Sequence, residues 1–117
     1  MKTKTLLTLF AVICAASVTA QTPNYTAAEA AKHLWETATI TDKVDGVHQS
    51  GKGNIHLNMG GKHPNQAFTA FIPSASAEQF PQPQQYEGQT VAVSGKITLY
   101  RGKPEIIVNS RSQISTK

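Results

Sequence analysis

The chain has 117 residues, enough for one small domain with a modest hydrophobic core. Eleven basic and seven acidic residues give it a formal net charge of +4. Its one cysteine, Cys14, excludes a framework of disulfides within the chain.

The first 20 residues have the pattern of a secretory signal peptide. Lys2 and Lys4 form a basic start, an apolar run covers residues 6–16, and small residues at 18–20 form a cleavage site. The apolar run is too short to serve as a stable membrane anchor. We therefore predict that residues 1–20 are removed after Ala20, and the alternative is an uncleaved signal that stays in the membrane.

Cleavage would change both the cysteine content and the charge of the chain. Residues 21–117 contain no cysteine, and their nine basic and seven acidic residues give a net charge of about +2. An exported domain without disulfides is more typical of a bacterial periplasm than of a eukaryotic secretory route. We therefore predict a bacterial protein that is periplasmic or secreted. A charge of +2 is compatible with a polyanionic partner but does not argue for one.

Residues 21–36 are predicted to form a tether and a short helix. Thr26 and Glu29 have the spacing of a capping box, in which each residue satisfies a backbone amide of the other. Alanine-rich residues continue the helix to about Trp35. We expect Leu34 and Trp35 to cover one end of the β-structure that follows.

Three strands are predicted between residues 37 and 72. The first covers residues 37–48, with a bulge at Asp45–Gly46 that returns Val47 to the buried side of the strand. A glycine-rich turn at 49–53, a second strand at 54–59, a polar loop at 60–66 and a third strand at 67–72 follow. A helical turn is predicted at 74–80, and residues 81–88 are expected to cross to the next strand.

Residues 88–114 predict a long, bent hairpin. Apolar residues alternate with polar ones in its first strand, which is typical of a strand with one buried face; the expected buried residues are Val91, Val93, Ile97 and Leu99. Gly95 lies in the middle of this strand, where it can bend. A turn at 101–104 and a returning strand at 105–109 complete the hairpin, which is typical of a small closed barrel.

Five predicted strands with glycine bends in the first and fourth describe a small Greek-key barrel, the OB-fold. A further resemblance depends on N-I-H-L-N-M-G-G (54–61), P-N-Q-A-F-T-A-F-I (64–72), V-S-G-K-I-T-L-Y-R-G-K-P-E-I-I-V (93–108) and S-Q-I (112–114). In these segments the chain resembles a family of small exported bacterial OB-fold proteins that are nucleic-acid-binding-like and of unknown function. The resemblance covers residues 37–114 and leaves 115–117 as a tail. It implies an all-β fold, a five-stranded Greek-key OB-fold barrel with a short N-terminal helix and a short helical turn between strands 3 and 4.

OB barrels that bind single strands use a basic groove and aromatic faces, mostly on strands 2 and 3 and the neighbouring loops. The residues expected on that surface are Lys52, His56, Asn58, Lys62, His63, Phe71, Lys96, Tyr100, Arg101 and Lys103. Phe71 is expected to face outward if Phe68 faces the core. The alternative is that the lysines are solvated turn residues and that Arg101–Lys103 is an ordinary hairpin turn.

Metal binding and catalysis have little support in the sequence. His48, His56 and His63 are spaced seven or eight residues apart, without the close pairs typical of zinc sites, so no metal and no cofactor is predicted. Metal-dependent phosphodiester cleavage needs clustered carboxylates, whereas the acidic residues here are scattered. We therefore predict that the chain is not an enzyme.

The predicted function is that of an exported, non-enzymatic OB-fold module that binds single-stranded nucleic acid or another oligomeric ligand. The alternative is a periplasmic envelope or stress module that binds a small molecule, a cation, a glycan or a protein partner. The exported location and the small net charge favour this alternative. After cleavage, neither hypothesis makes the chain an integral membrane protein.

Overall fold

The structure, a computed structural model, describes residues 22–117, so the predicted signal peptide lies outside the described residues. The strands in this part of the chain are β1 (Asn24–Tyr25), β2 (Thr37–Gln49), β3 (Ile55–Met59), β4 (Phe68–Ile72), β5 (Thr90–Tyr100), β6 (Lys103–Ile107) and β7 (Ile114–Thr116). Short 3₁₀ helices cover Ala27–Lys32, Ser74–Gln79, Pro83–Tyr86 and Arg111–Gln113. No helix within residues 22–117 has the length and apolar character needed to cross a bilayer.

Five strands close into a barrel. The sheet order is β1-β2-β3-β4-β6-β5-β7, and an additional pairing of β2 with β5 joins the two sides of the ring. The pair β4–β6 is parallel, whereas β2–β3, β3–β4, β5–β6 and β2–β5 are antiparallel. This arrangement confirms the all-β, OB-fold prediction. The short strands β1 and β7, which were not predicted, extend the sheet beside β2 and β5.

Two irregularities in the long strands allow the barrel to close. In β2 the register with β3 shifts between Val44 and Gly46, which leaves Asp45 as the extra residue of the predicted bulge. In β5, residues 90–96 pair with β2 and residues 97–100 pair with β6. Gly95, the predicted bend, lies two residues before this change of partner and has φ +154°, a conformation that favours glycine.

The barrel interior is filled by apolar side chains from every long strand. Phe68, predicted to be core, is fully buried, as are Ile40, Val44, Leu57, Val93 and Ile106. The 3₁₀ helix Ala27–Lys32 packs against β2, β4 and β6, with Ala27 and Ala30 completely buried. At its start the backbone N–H of Thr26 donates to Glu29 Oε1 at 2.8 Å, as the capping box predicted.

Two residues expected to be buried are exposed. Trp35 was expected to cover one end of the barrel, but it is 59% exposed. The residue adopts φ +73°, and its backbone N–H donates to the Ile97 carbonyl. Leu34, by contrast, packs against the core. Leu99 has the parity of a buried residue but is 45% exposed, because it lies past the change of partner and faces Pro104 in the projecting end of the β5–β6 hairpin.

Candidate ligand-binding groove

A groove with a volume of about 630 Å³ runs across the outer face of β3, β4 and β6 to the turn between β5 and β6. Its lining falls into three parts. The polar floor consists of Asn58, Gln66, Thr69 and Glu105; the hairpin tip consists of Tyr100, Arg101, Lys103 and Pro104; the histidine wall consists of His48, His56, His63 and Pro64.

Strand register brings the polar floor together. Asn58 on β3 is the pairing partner of Thr69 on β4, and Thr69 is in turn the partner of Glu105 on β6. Successive side chains of a strand point to opposite faces, so partners on neighbouring strands share a face. Leu57, Ala70 and Ile106 point into the barrel, and this row therefore faces the groove.

The polar floor is buried and only partly hydrogen-bonded. Gln66 Nε2 donates to Thr69 Oγ1 at 3.3 Å, and the Thr69 hydroxyl donates to Asn58 Oδ1 at 3.0 Å. Gln66 Oε1 is buried and has no hydrogen-bond partner among residues 22–117. Of the five buried polar or charged residues in the described part, all but Ser76 line this groove. Buried polar groups are usually hydrogen-bonded, so four buried polar or charged side chains along one groove are candidates for contact with a ligand.

Glu105 is the one carboxylate of the groove lining, and its side chain is only 8% exposed. Burial raises the pKa of its carboxyl group to about 6, because the charged form is poorly solvated there. Lys103 does not neutralise it, since Lys103 Nζ donates to the Gln66 carbonyl at 3.0 Å. The ion pair found within the described residues joins His33 and Glu36, neither of which lines the groove.

The hairpin tip presents positive charge beside an aromatic ring. Tyr100 is 51% exposed, and the Arg101 guanidinium lies 5.1 Å from the centre of its ring. Arg101 has φ +50° and Gly102 has φ +82°, which allows a tight two-residue turn between the strands. Tyr100 and Lys103 are pairing partners, so both side chains project from the same face.

The histidine wall forms the opposite side of the groove. The rings of His48 and His56 are 5.7 Å apart, and His56 makes an edge contact with Phe71 at 5.1 Å. Burial lowers the pKa of His56, and positive charge on His48 and His63 acts in the same direction. In the part of the chain that the structure describes, no three His, Cys, Asp or Glu side chains are placed to hold a metal ion together.

Six of the ten predicted site residues line the groove, and four lie outside it. Inside are His56, Asn58, His63, Tyr100, Arg101 and Lys103. Lys62 lies in an adjacent depression with Asp45 and Glu87. Phe71 is the pairing partner of His56 and contacts its ring. Lys52 is in the β2–β3 turn, and Lys96 is the pairing partner of Thr37.

Sequence reasoning missed His48, Gln66, Thr69 and Glu105. Thr69 could have been found, because it has the same outward parity on β4 as Phe71. Glu105 and Gln66 could not have been found in this way. The two residues come together only because β4 pairs with β6, and these strands are 31 residues or more apart in the chain.

Glu105→Gln is expected to stabilise the protein at pH 7.5 by about 1–2 kcal/mol, since one pKa unit corresponds to about 1.4 kcal/mol. The carboxyl pKa is raised by folding from 4.5 to about 6, so the native state holds its proton more strongly. The protonated Glu105 carboxyl group therefore contributes its full share to the free energy of unfolding below pH 4.5, and this contribution is lost as the pH rises through 6. The gain from glutamine should therefore disappear near pH 4.5.

Urea unfolding of both proteins at several pH values measures this difference. His48, His56, His63, Arg101 and Lys103 also face the groove, but they are common to both proteins and largely cancel in the comparison. Glu78→Gln, at an exposed position in the 3₁₀ helix Ser74–Gln79, is the control and should show no such trend. If Glu105→Gln increases the free energy of unfolding by the same amount at every pH, the raised pKa of the Glu105 carboxyl group is not the cause.

Comparison with known proteins identifies the fold. No protein-family model matches the chain, and no curated protein matches its sequence. Among solved structures, the chain is similar to a putative aspartyl-tRNA synthetase from Leishmania major Friedlin, with a TM-score of 0.54 and 12% identity over 91% of this chain and 22% of that one. It is also similar to an aspartyl tRNA synthetase from Entamoeba histolytica, with a TM-score of 0.50 and 18% identity over 73% of this chain and 19% of that one.

The chain thus spans about a fifth of the length of these enzymes. Sequence identities this low carry no information about activity, whereas the shared backbone path agrees with the closed ring of strands described above. The groove lies on β3, β4 and β6, which are the second, third and fifth strands of that ring. This is the face that OB-folds use for ligands. The chain is an OB-fold-like, all-β domain.

Proposed function

We propose that this chain is a single-stranded nucleic-acid-binding module whose ligand lies in the groove between the histidine wall and the hairpin tip. One observation carries the proposal: Tyr100, Arg101 and Lys103 project together at the edge of the face on which OB-folds bind oligonucleotides. An exposed aromatic ring beside two cations offers stacking for a base and charge for the flanking phosphates.

Each part of the groove has a role in this proposal. Arg101 and Lys103 contact phosphate oxygens, Arg101 through its planar fork of donors and Lys103 as a point charge. Tyr100 stacks against a base, an interaction worth about 1–3 kcal/mol in comparable sites. His56, supported by the edge of Phe71, provides a second flat surface on the other side of the groove.

The similar structures give this proposal independent support. One is named as a putative aspartyl-tRNA synthetase and the other as an aspartyl tRNA synthetase, and both names refer to an RNA. A barrel with the same backbone path therefore occurs in proteins that act on nucleic acid.

Titration with a fluorescent single-stranded oligonucleotide tests the proposal. OB-folds contact roughly 4–16 nucleotides, so a mixed-sequence decamer is suitable. We expect binding at low salt that weakens steeply as salt increases, because bound phosphates release counterions. A duplex of the same sequence should bind more weakly, since its bases are not available for stacking. Absence of binding to the decamer at low salt would refute the proposal.

We also propose that the module is exported and does not act as an enzyme. The signal-peptide pattern of residues 1–20 supports export, and mass spectrometry of the protein from bacterial periplasm should find Gln21 as the first residue. Glu105 is the one carboxylate lining the groove, and metal-dependent cleavage of a phosphodiester needs several. Incubation with nucleic acid and Mg²⁺ should leave the nucleic acid intact.

The dimensions of the groove favour a second candidate function, the binding of a small polar molecule in the periplasm. A volume of about 630 Å³ lies within the usual range for small-molecule sites, roughly 300–1,000 Å³. Under this alternative the decamer fails to bind, and thermal stability increases in the presence of a small polar ligand.

A further inference from the structure

We propose that the polar floor is a guanine-selective base subsite, in which the Glu105 carboxylate accepts hydrogen bonds from guanine N1–H and from its 2-amino group. This inference rests on the proposed function, because it assigns the base that a bound single strand inserts into the groove.

Within residues 22–117, the hydrogen bonds of the polar floor leave two acceptor groups without a donor, the Gln66 side-chain oxygen and the Glu105 carboxylate. Gln66 Nε2 donates to Thr69, the Thr69 hydroxyl donates to Asn58, and Lys103 Nζ donates to the Gln66 carbonyl. Gln66 Oε1 is unpartnered among the described residues, and the hydrogen bond that Glu105 accepts from the Thr98 hydroxyl goes to its backbone carbonyl and not to its carboxylate. A ligand that pairs with the Glu105 carboxylate must therefore bring donors.

Guanine brings them in the right arrangement. Its Watson–Crick edge places two parallel N–H donors side by side, and a carboxylate accepts such a pair with both oxygens, as it does from arginine. Adenine and cytosine offer one amino group next to a ring nitrogen that is itself an acceptor. Uracil and thymine offer one N–H between two carbonyl oxygens, which the carboxylate repels.

Asn58 completes the match. Its side-chain oxygen accepts from Thr69, and its amide nitrogen is left as a donor for guanine O6. Asn58 and Glu105 flank Thr69 in one row across three strands, so their backbones are about 9–10 Å apart. A base edge can enter between the two side chains and contact both.

Burial makes this recognition selective. Asn58 and Glu105 are 4% and 8% exposed, so a base that cannot pair with them leaves buried polar groups without partners. Sites of this kind discriminate strongly against a ligand that lacks the matching groups. For one bidentate contact we expect guanine to be favoured about tenfold or more over the other bases.

The inference is tested by measuring how tightly the unaltered protein binds four labelled oligothymidylates. Each carries one central deoxyguanosine, deoxyadenosine, deoxycytidine or deoxyinosine. The guanine oligomer should bind about tenfold more tightly than the adenine and cytosine oligomers. Inosine keeps N1–H and lacks the 2-amino group, so its oligomer should bind with intermediate affinity. Glu105→Gln should bring the ratio of guanine to adenine affinities close to one, whereas Glu78→Gln should leave it unchanged.

The outcomes separate this inference from the proposed function. If all four oligomers bind equally and with strong salt dependence, the guanine subsite is refuted and the nucleic-acid function stands. If none binds at low salt, both are refuted. A guanine preference that persists in Glu105→Gln, or that inosine fully reproduces, refutes the assigned contact. The inosine comparison uses the unaltered protein and so does not depend on folding of the variant.

Discussion

Gly95→Ala is expected to lower the free energy of unfolding by about 2–4 kcal/mol, the sum of a steric and a backbone cost. A Cβ at this position would lie 2.7 Å from Ile106 Cγ2 and 3.2 Å from Gln113 Nε2. Ile106 is fully buried and branched at Cβ, so its methyl group cannot move away without disturbing the core. The φ of +154° adds strain for any residue other than glycine.

Two other glycines serve as matched controls. Gly88 has φ +83° with open space around a new Cβ, so Gly88→Ala isolates the backbone cost of about 1–2 kcal/mol. Gly51 has neither a positive φ nor a neighbour within 4 Å, and Gly51→Ala should change stability by less than about 0.5 kcal/mol. Chemical unfolding of the three variants measures the series. If Gly95→Ala costs no more than Gly88→Ala, the close approach to Ile106 is not what requires glycine.

The barrel could be predicted from local features of the sequence. Alternation of apolar residues located the long strands, and the failure of Val47 to keep the parity of Ile40 located the bulge at Asp45. Both are consequences of one physical constraint, since a strand with one buried face must keep its apolar side chains on that face. Gly95 was recognised for a similar reason, because a glycine inside such a strand usually marks a bend.

Leu99 and Trp35 show where this reasoning fails. Parity says which face of a strand a residue occupies, but it does not say whether that face is still covered at that point along the strand. β5 extends beyond the barrel into its hairpin with β6, so Leu99 keeps the parity of Ile97 and is nevertheless exposed. The exposure of Trp35 depends on a positive φ at a residue other than glycine, which sequence patterns rarely reveal.

The groove was only half predictable for a related reason. Exposed cations and aromatic residues are visible in a sequence, and Tyr100, Arg101 and Lys103 were identified in that way. The polar floor depends on register between strands that are distant in the chain, and Glu105 meets Thr69 only because β6 is parallel to β4. Register of this kind follows from closure of the whole barrel. Glu105 was therefore missed, whereas Asn58 on the same floor was predicted from its outward parity on β3.

Neutralising the two cations of the hairpin tip, with Arg101→Gln and Lys103→Gln together, is expected to weaken binding of a single-stranded decamer strongly. Each lost phosphate contact reduces the salt dependence of log K by about 0.7 for single strands, so the slope should become shallower by about 1.4 and the affinity should fall roughly 50-fold at about 50 mM salt. Glutamine keeps a hydrogen-bond donor near the Gln66 carbonyl, which Lys103 Nζ contacts in the unaltered protein.

The matched control removes the same charge elsewhere. Lys43 is the pairing partner of Thr90, and the backbone N–H of Lys117 donates to the Thr90 carbonyl, so both lysines lie at the start of β5, whereas the hairpin tip follows its end. Lys43→Gln with Lys117→Gln lowers the net charge equally and should reduce affinity no more than a few-fold. Fluorescence titrations of the three proteins at several salt concentrations give the slopes. Equal losses in both double variants would mean that net charge attracts the strand and that the hairpin tip makes no specific phosphate contact.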